Sequence, residues 1–130
     1  VYNLIRANFR EFGVPEQRLK SQTVAVHLVK IAQPKDGPSA GLAFLVGIVS
    51  ALANRPVRPG FAFTGEVALH GEVGEVGGML HKVAAAAKAG RRHVVVPAAN
   101  AGAAADLPAD VRDAVEVHPV ASAREALALA

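Results

Sequence analysis

Apolar and polar positions divide the chain into alternating helices and strands. Over residues 2–12, Leu4, Ile5, Ala7, Phe9 and Phe12 recur near helical spacing, and Gly13 and Pro15 stop the predicted helix. Val24, Val26 and Leu28 then alternate with Thr23, Ala25 and His27, which predicts a strand over 23–31. The breaker cluster at 33–38 predicts a loop that delivers the chain to Ser39, at the head of an apolar helix over 40–53. A second loop covers 54–60, followed by a short strand at 61–63. Residues 66–69 and 72–76 read as the arms of a hairpin or tight bend around His70-Gly71. Gly77-Gly78 opens an alanine-rich helix over 79–89, which Gly90 ends. Strands at 93–96 and 115–117, a short helix at 98–105 and a terminal helix over 121–130 complete the pattern.

Repeated strand–helix alternation in 130 residues predicts one α/β sandwich around a single core. The hydrophobic fraction of 52% supplies ample apolar area, while aromatics at 5% leave the core to Val, Leu, Ile and Ala. The run at 40–53 is too short to span about 30 Å of hydrocarbon at about 1.5 Å per residue, so it is a buried helix. The first residues carry no signal-peptide pattern. No cysteine is present. This removes disulfides, thiolate nucleophiles and Cys-based metal sites, and fits a reducing compartment. A net charge of +3 is spread along the chain with no run of five like charges, so no nucleic-acid footprint is indicated beyond a small patch at Arg91-Arg92-His93.

Candidate chemistry centres on two residues. Ser39 follows Gly37 and Pro38 and precedes the small pair Ala40-Gly41. A helix starting there aims free N–H groups and its positive dipole end at whatever the hydroxyl touches, which suits a developing oxyanion. Serine is equally a favoured helix N-cap, and that ordinary reading stands beside the catalytic one. No histidine forms an obvious triad with a carboxylate, so Lys82 is the available base. It lies on the first turns of a helix among Met79, Leu80 and Val83, where apolar neighbours and a helix N-terminus disfavour the ammonium form. A neutral lysine can take a serine proton. The ordinary alternative is a solvated surface lysine, as Lys88 is expected to be.

The string PKDGPSAG at 34–41 resembles the nucleophile motif of Lon proteases, whose catalytic residues form a Ser–Lys dyad. Asn54-Arg55-Pro56-Val57-Arg58 is similar to the loop after that family's nucleophile helix, and Phe63-Thr64-Gly65-Glu66-Val67 to its TGE segment. Gly77-Gly78-Met79-Leu80-His81-Lys82 is similar to the stretch ending in the catalytic lysine. HVVVP at 93–97 and VHPV at 117–120 resemble late strands of the domain. The similarity runs from about residue 3 to 130. It implies a compact Lon proteolytic-domain sandwich of the ribosomal protein S5 domain 2 type, spanning residues 1–130 and truncated at its N-terminus. It implies that Ser39 and Lys82 are catalytic, that Thr64 holds the lysine amine, and that Asp36, with Gly37 and Pro38, orders the nucleophile loop. It further implies a cytoplasmic serine endopeptidase that acts on unfolded polypeptides. An AAA+ ATPase in the full-length protein would deliver them within a hexameric ring. No cofactor is implied in this domain; ATP and Mg belong to the ATPase. The chain departs from the family where the common strand carries two histidines and a Pro-Glu-Gly turn. Here those places read Ala25, His27 and 28–32, and His27 is expected to be half-buried and structural.

Two other function classes fit parts of the sequence. One is a Lon-like domain kept as a non-proteolytic assembly or binding module of an ATPase in phage defence or DNA repair; retention of Ser39 and Lys82 argues against it. The other is small-molecule kinase chemistry, which would want a longer Gly-Ser-Ser stretch. His27, His70, His81, His93 and His118 show no HxH or HxxxH spacing, so no zinc site is expected. Glu66, Glu72 and Glu75 read as a solvated face, and Gly71, Gly74, Gly77 and Gly78 lack the strand–GxxxxGK–helix order of a phosphate loop.

Overall fold

A computed structural model of the chain describes residues 1–27 and 37–130. Its centre is a three-stranded parallel sheet of β1 (Phe61–Phe63), β4 (His93–Pro97) and β5 (Glu116–Val120), ordered β1-β4-β5. The middle strand reads as an unbroken apolar run, as a parallel strand covered on both faces should. Val94 and Val96 pack with Met79 and Val83 of helix α4 (Met79–Lys88) and with Leu107 and Val115. Val95, on the opposite face, packs with Leu42 of helix α3 (Gly41–Ala53) and Ala126 of helix α6 (Ala123–Leu129). Helices therefore cover both faces of the sheet.

Helix α3 buries Leu42, Leu45, Val46, Val49 and Leu52, a stripe at three- and four-residue intervals, and ends at Asn54 with φ 53°. Leu4 and Ile5 of helix α1 (Tyr2–Ala7) join Phe12, Val14 and the far side of α3 in a second cluster. Between β1 and α4 lies the antiparallel hairpin of β2 (Glu66–Val67) and β3 (Val73–Gly74), turning at Gly71, whose φ is 93°. Ser122 caps α6, accepting from the Glu125 N–H at 3.2 Å, while Glu125 reaches back to the Ala121 N–H at 2.9 Å.

Several expected elements differ. The first helix closes at Ala7 rather than Phe12, because Asn8 turns its side-chain amide onto the Leu4 carbonyl (3.0 Å) and takes up the helix end. Helix α2 (Glu16–Ser21) and helix α5 (Ala109–Ala114) bury no residue, so neither has an apolar stripe to announce it. Residues 22–27 form no strand, and no described strand pairs with them. The rest of that expected strand and most of the loop before Ser39 fall outside the described residues. The helix at 98–105 is a 3-10 segment, Ala98–Asp106. β5 runs through Pro119 to Val120, because an edge strand tolerates a missing N–H on its open side. His27 is exposed, not half-buried.

Candidate active site

The turn that carries Ser39 is fixed by backbone contacts. Gly37, with φ 87°, opens a 3-10 turn over Pro38–Ala40 that runs into α3. The Ser39 carbonyl accepts from the Gly65 N–H at 2.9 Å, and the Leu42 N–H donates to the Gly65 carbonyl at 3.0 Å. These two bonds clamp the turn onto the segment that follows β1. Neighbouring glycines make the approach feasible. A Cβ on Gly41 would lie 3.3 Å from the Val67 nitrogen, and one on Gly65 would lie 2.8 Å from Val73 Cγ1 and 3.2 Å from Leu42 Cδ2. Ala40, not Ser39, is the N-cap residue of α3, and no side chain caps that helix. The ordinary reading of Ser39 as a helix cap therefore loses its basis.

Thr64 is buried, and its N–H bonds the Val95 carbonyl (3.0 Å) at the middle of the sheet. It stands at the carboxyl end of β1. A depression of about 260 Å³ lies beside the Ser39 turn, lined by Gly37, Pro38, Gly41, Phe44, Glu66 and Val67.

Lys82 occupies the first turn of α4, its N–H bonded to the carbonyl of Gly78 at 3.1 Å. Gly78 takes φ 64°, the left-handed geometry that glycine adopts without strain. Lys82 is half-buried beside fully buried Val83, whereas Lys88 is exposed. Because β1 and β4 are parallel, the connection between them must return from the carboxyl end to the amino end of the sheet. Helix α4 makes that return, so its N-terminal turn starts from the end where Thr64 and the Ser39 clamp sit. Among the described residues, the side chains of Ser39 and Lys82 share no hydrogen bond.

Sequence reasoning missed Asn100. This buried residue donates from Nδ2 to the Val76 carbonyl and accepts at Oδ1 from the Val76 N–H, both at 2.9 Å. It pins the chain just before Gly77-Gly78 and so fixes where α4 begins. Its only signal is a lone amide within an alanine-rich segment. Asp36 lies outside the described residues. Glu66, Glu72 and Glu75 are exposed, as expected of a solvated face.

A mixed α/β domain with a parallel sheet, and with serine, lysine and threonine on elements that meet its carboxyl end, is the class the geometry defines. The model of the Lon protease (S16) C-terminal proteolytic domain matches residues 1–130, and the chain belongs to that family. It is 46% identical over 123 residues to Lon protease 1 of Sorangium cellulosum, covering 95% of this chain and 15% of that protein. Lon protease of Salinispora arenicola is 41% identical over 126 residues, covering 97% of this chain and 16% of the relative. Lon protease 1 of Thermus thermophilus is 39% identical over 125 residues, covering 96% and 16%. The chain thus spans about one sixth of the length of these relatives.

Proposed function

We propose that this domain is the peptide-cleaving unit of a Lon-type serine endopeptidase, with Ser39 as nucleophile and Lys82 as general base. The observation that carries the reading is the double backbone clamp between the Ser39 turn and Gly65, at the sheet end from which α4 departs. Ligands of open parallel sheets gather at the carboxyl ends of the strands, and here the serine and the lysine arrive there from helices on opposite faces. Lys82, as general base, takes the Ser39 proton as Oγ attacks the scissile carbonyl carbon. The N-terminal turn of α3 stabilises the oxyanion, and the proton passes to the leaving amine. Water, deprotonated by Lys82, then releases the acyl group and restores Ser39. Thr64 orients the lysine amine, and Asp36, Gly37 and Pro38 set the approach to Ser39.

The domain takes the S5 domain 2-like sandwich. It acts on unfolded polypeptide delivered by an AAA+ ATPase of the full-length protein, in a cytoplasmic hexameric ring, with ATP and Mg used only by the ATPase. No described helix is long and apolar enough to cross a membrane.

The test is a fluorophosphonate probe on the full-length protein, with the adduct located by mass spectrometry. Labelling at Ser39 that disappears in Lys82→Met supports the dyad. A folded, ATP-hydrolysing protein whose Ser39 never labels supports the non-proteolytic assembly module instead.

A further inference from the structure

The amino end of the sheet carries a second cluster, which the proposed peptidase chemistry does not use. In the parallel pairing of β4 and β5, His93 lies opposite Glu116 and Val95 opposite His118. Residues two apart on a strand share a face, so Glu116 and His118 project together. The contacts put His93 on that same side. His93 Nδ1 is 3.0 Å from His118 Nε2 and 3.4 Å from Glu116 Oε2, and Glu116 Oε2 is 3.9 Å from His118 Nε2.

We propose that His93, Glu116 and His118 bind a divalent transition-metal ion, with zinc the best match, through Nδ1, Oε2 and Nε2 respectively. Ligand atoms bound tetrahedrally at about 2.0–2.1 Å sit roughly 3.3–3.4 Å from one another. The three separations, 3.0, 3.4 and 3.9 Å, bracket that value before any ion has drawn the ligands in. Hydrogen bonding alone serves this arrangement poorly. The contact between His93 Nδ1 and His118 Nε2 uses one N–H, and Glu116 Oε2, 3.9 Å from His118 Nε2, lies beyond hydrogen-bond reach of that ring. A cation satisfies all three lone pairs at once. Two imidazoles and a carboxylate select a borderline ion such as zinc, whereas magnesium and calcium want oxygen ligands throughout.

The surroundings are those of a held site. Phe61 stacks on the His93 ring, with centroids 4.5 Å apart and planes at 15°, and on the His118 ring at 5.7 Å and 24°. It thereby limits ring rotation. The His118 side chain is 19% exposed and His93 34%, while Glu116 at 68% stands at the mouth. An open depression lined by Arg92, His93, Asp113 and Glu116 adjoins two of the three ligands and gives solvent access to them. The ion would tie edge strand β5 to central strand β4, at the sheet end away from Ser39.

The test uses untagged protein stripped with chelator and titrated with cobalt(II), then with zinc in competition. Expected are one saturable equivalent of cobalt with the visible bands of a four-coordinate ion, displacement by zinc, and a melting temperature raised by zinc. His93→Gln, His118→Gln and Glu116→Gln should each weaken binding by about tenfold or more, and the double histidine variant should abolish the bands. His70→Gln and His81→Gln, at exposed histidines, should bind as the parent does. Circular dichroism checks each fold, and exposed Glu116→Gln keeps the test decisive if a histidine variant unfolds. Three results would each overturn the site: no saturable binding up to about 1 mM metal, parental affinity in a folded double histidine variant, or unchanged affinity in Glu116→Gln.

Discussion

The two ends of the parallel sheet hold their functional groups in different ways. At the carboxyl end it is main-chain groups that are held. The Ser39 turn is clamped to Gly65, Thr64 is tied to Val95, and Val76 is bracketed by Asn100 just before α4. At the amino end it is side-chain groups: three ligand atoms meet across β4 and β5, under a phenylalanine ring. A site built from backbone needs particular residues in a row, because close approach demands glycine and a fixed turn demands a fixed φ. A site built from side chains across a sheet needs only the right residue at isolated positions, here 25 apart for the two histidines. The first kind leaves a motif in the sequence and the second leaves almost none.

The sharpest test of this comparison separates chemistry from scaffold at the carboxyl end. Ser39→Ala should reduce peptide cleavage by the full-length protein to background, with little change in melting temperature, because no side chain caps α3. Lys82→Met should do the same. The check is peptide turnover alongside thermal unfolding. Cleavage that survives either substitution removes the dyad, and a large loss of stability in Ser39→Ala would show the hydroxyl to be structural.

Asn100→Ala comes next. It leaves the buried Val76 N–H and carbonyl without partners, at a cost of about 2–4 kcal/mol if neither is rehydrated. Peptide cleavage should fall too, since the entry to α4 loosens, while a fluorescent probe on β5 should report little change before global unfolding. Urea denaturation gives the stability. A change under about 0.5 kcal/mol, the range of ordinary surface substitutions, would mean that Asn100 does not hold the α4 entry.

Gly65→Ala should cost somewhat less, about 1–3 kcal/mol, the usual range for overpacking. Its methyl would press on Val73 and Leu42, which are buried and have little room to yield. Relief on the Leu42 side would shift the start of α3 and with it the Ser39 turn, so kcat should fall further than stability alone explains. An alanine variant with parental kcat would show that the clamp is not needed for activity.

What the sequence made legible follows the same division. GPSAG at 37–41, TGE and the Gly-Gly pair before α4 belong to the backbone-built end, and Ser39, Thr64 and Lys82 were named from these segments and their flanks. The apolar run of β4 and the stripe of α3 were legible because one covered face, or two, forces a periodicity. Helices α2 and α5 were not, because neither has a fully buried residue and each packs one partly buried side chain, Leu19 or Val111, against the core. Asn100 was missed because its partners are main-chain atoms of a segment 24 residues away. The His93–Glu116–His118 cluster was missed because ligand spacing was sought along one strand, whereas two of its members face each other across a strand pair.

The smallest expected effect lies away from both ends and sets a baseline for them. Glu16 and Lys20 on α2 pair at 2.6 Å, one helical turn apart and well exposed. The hydrogen bond from Lys20, and then its positive charge, lower the Glu16 carboxyl below its usual value. A carboxylate whose folded value is depressed adds stability above its unfolded value and loses it as pH falls through the folded one. Glu16→Gln should therefore lower the melting temperature only slightly near neutral pH, and not at all in acid below the folded value. Exposed pairs are screened, so added salt should shrink even that difference. Because α2 buries no residue, the variant should leave peptide cleavage and cobalt binding as they are in the parent. Thermal melts of parent and variant at two pH values, each at low and high salt, measure it. A Glu16→Gln penalty that grows in acid would reverse the sign, and would mean that the pair is not what lowers the carboxyl.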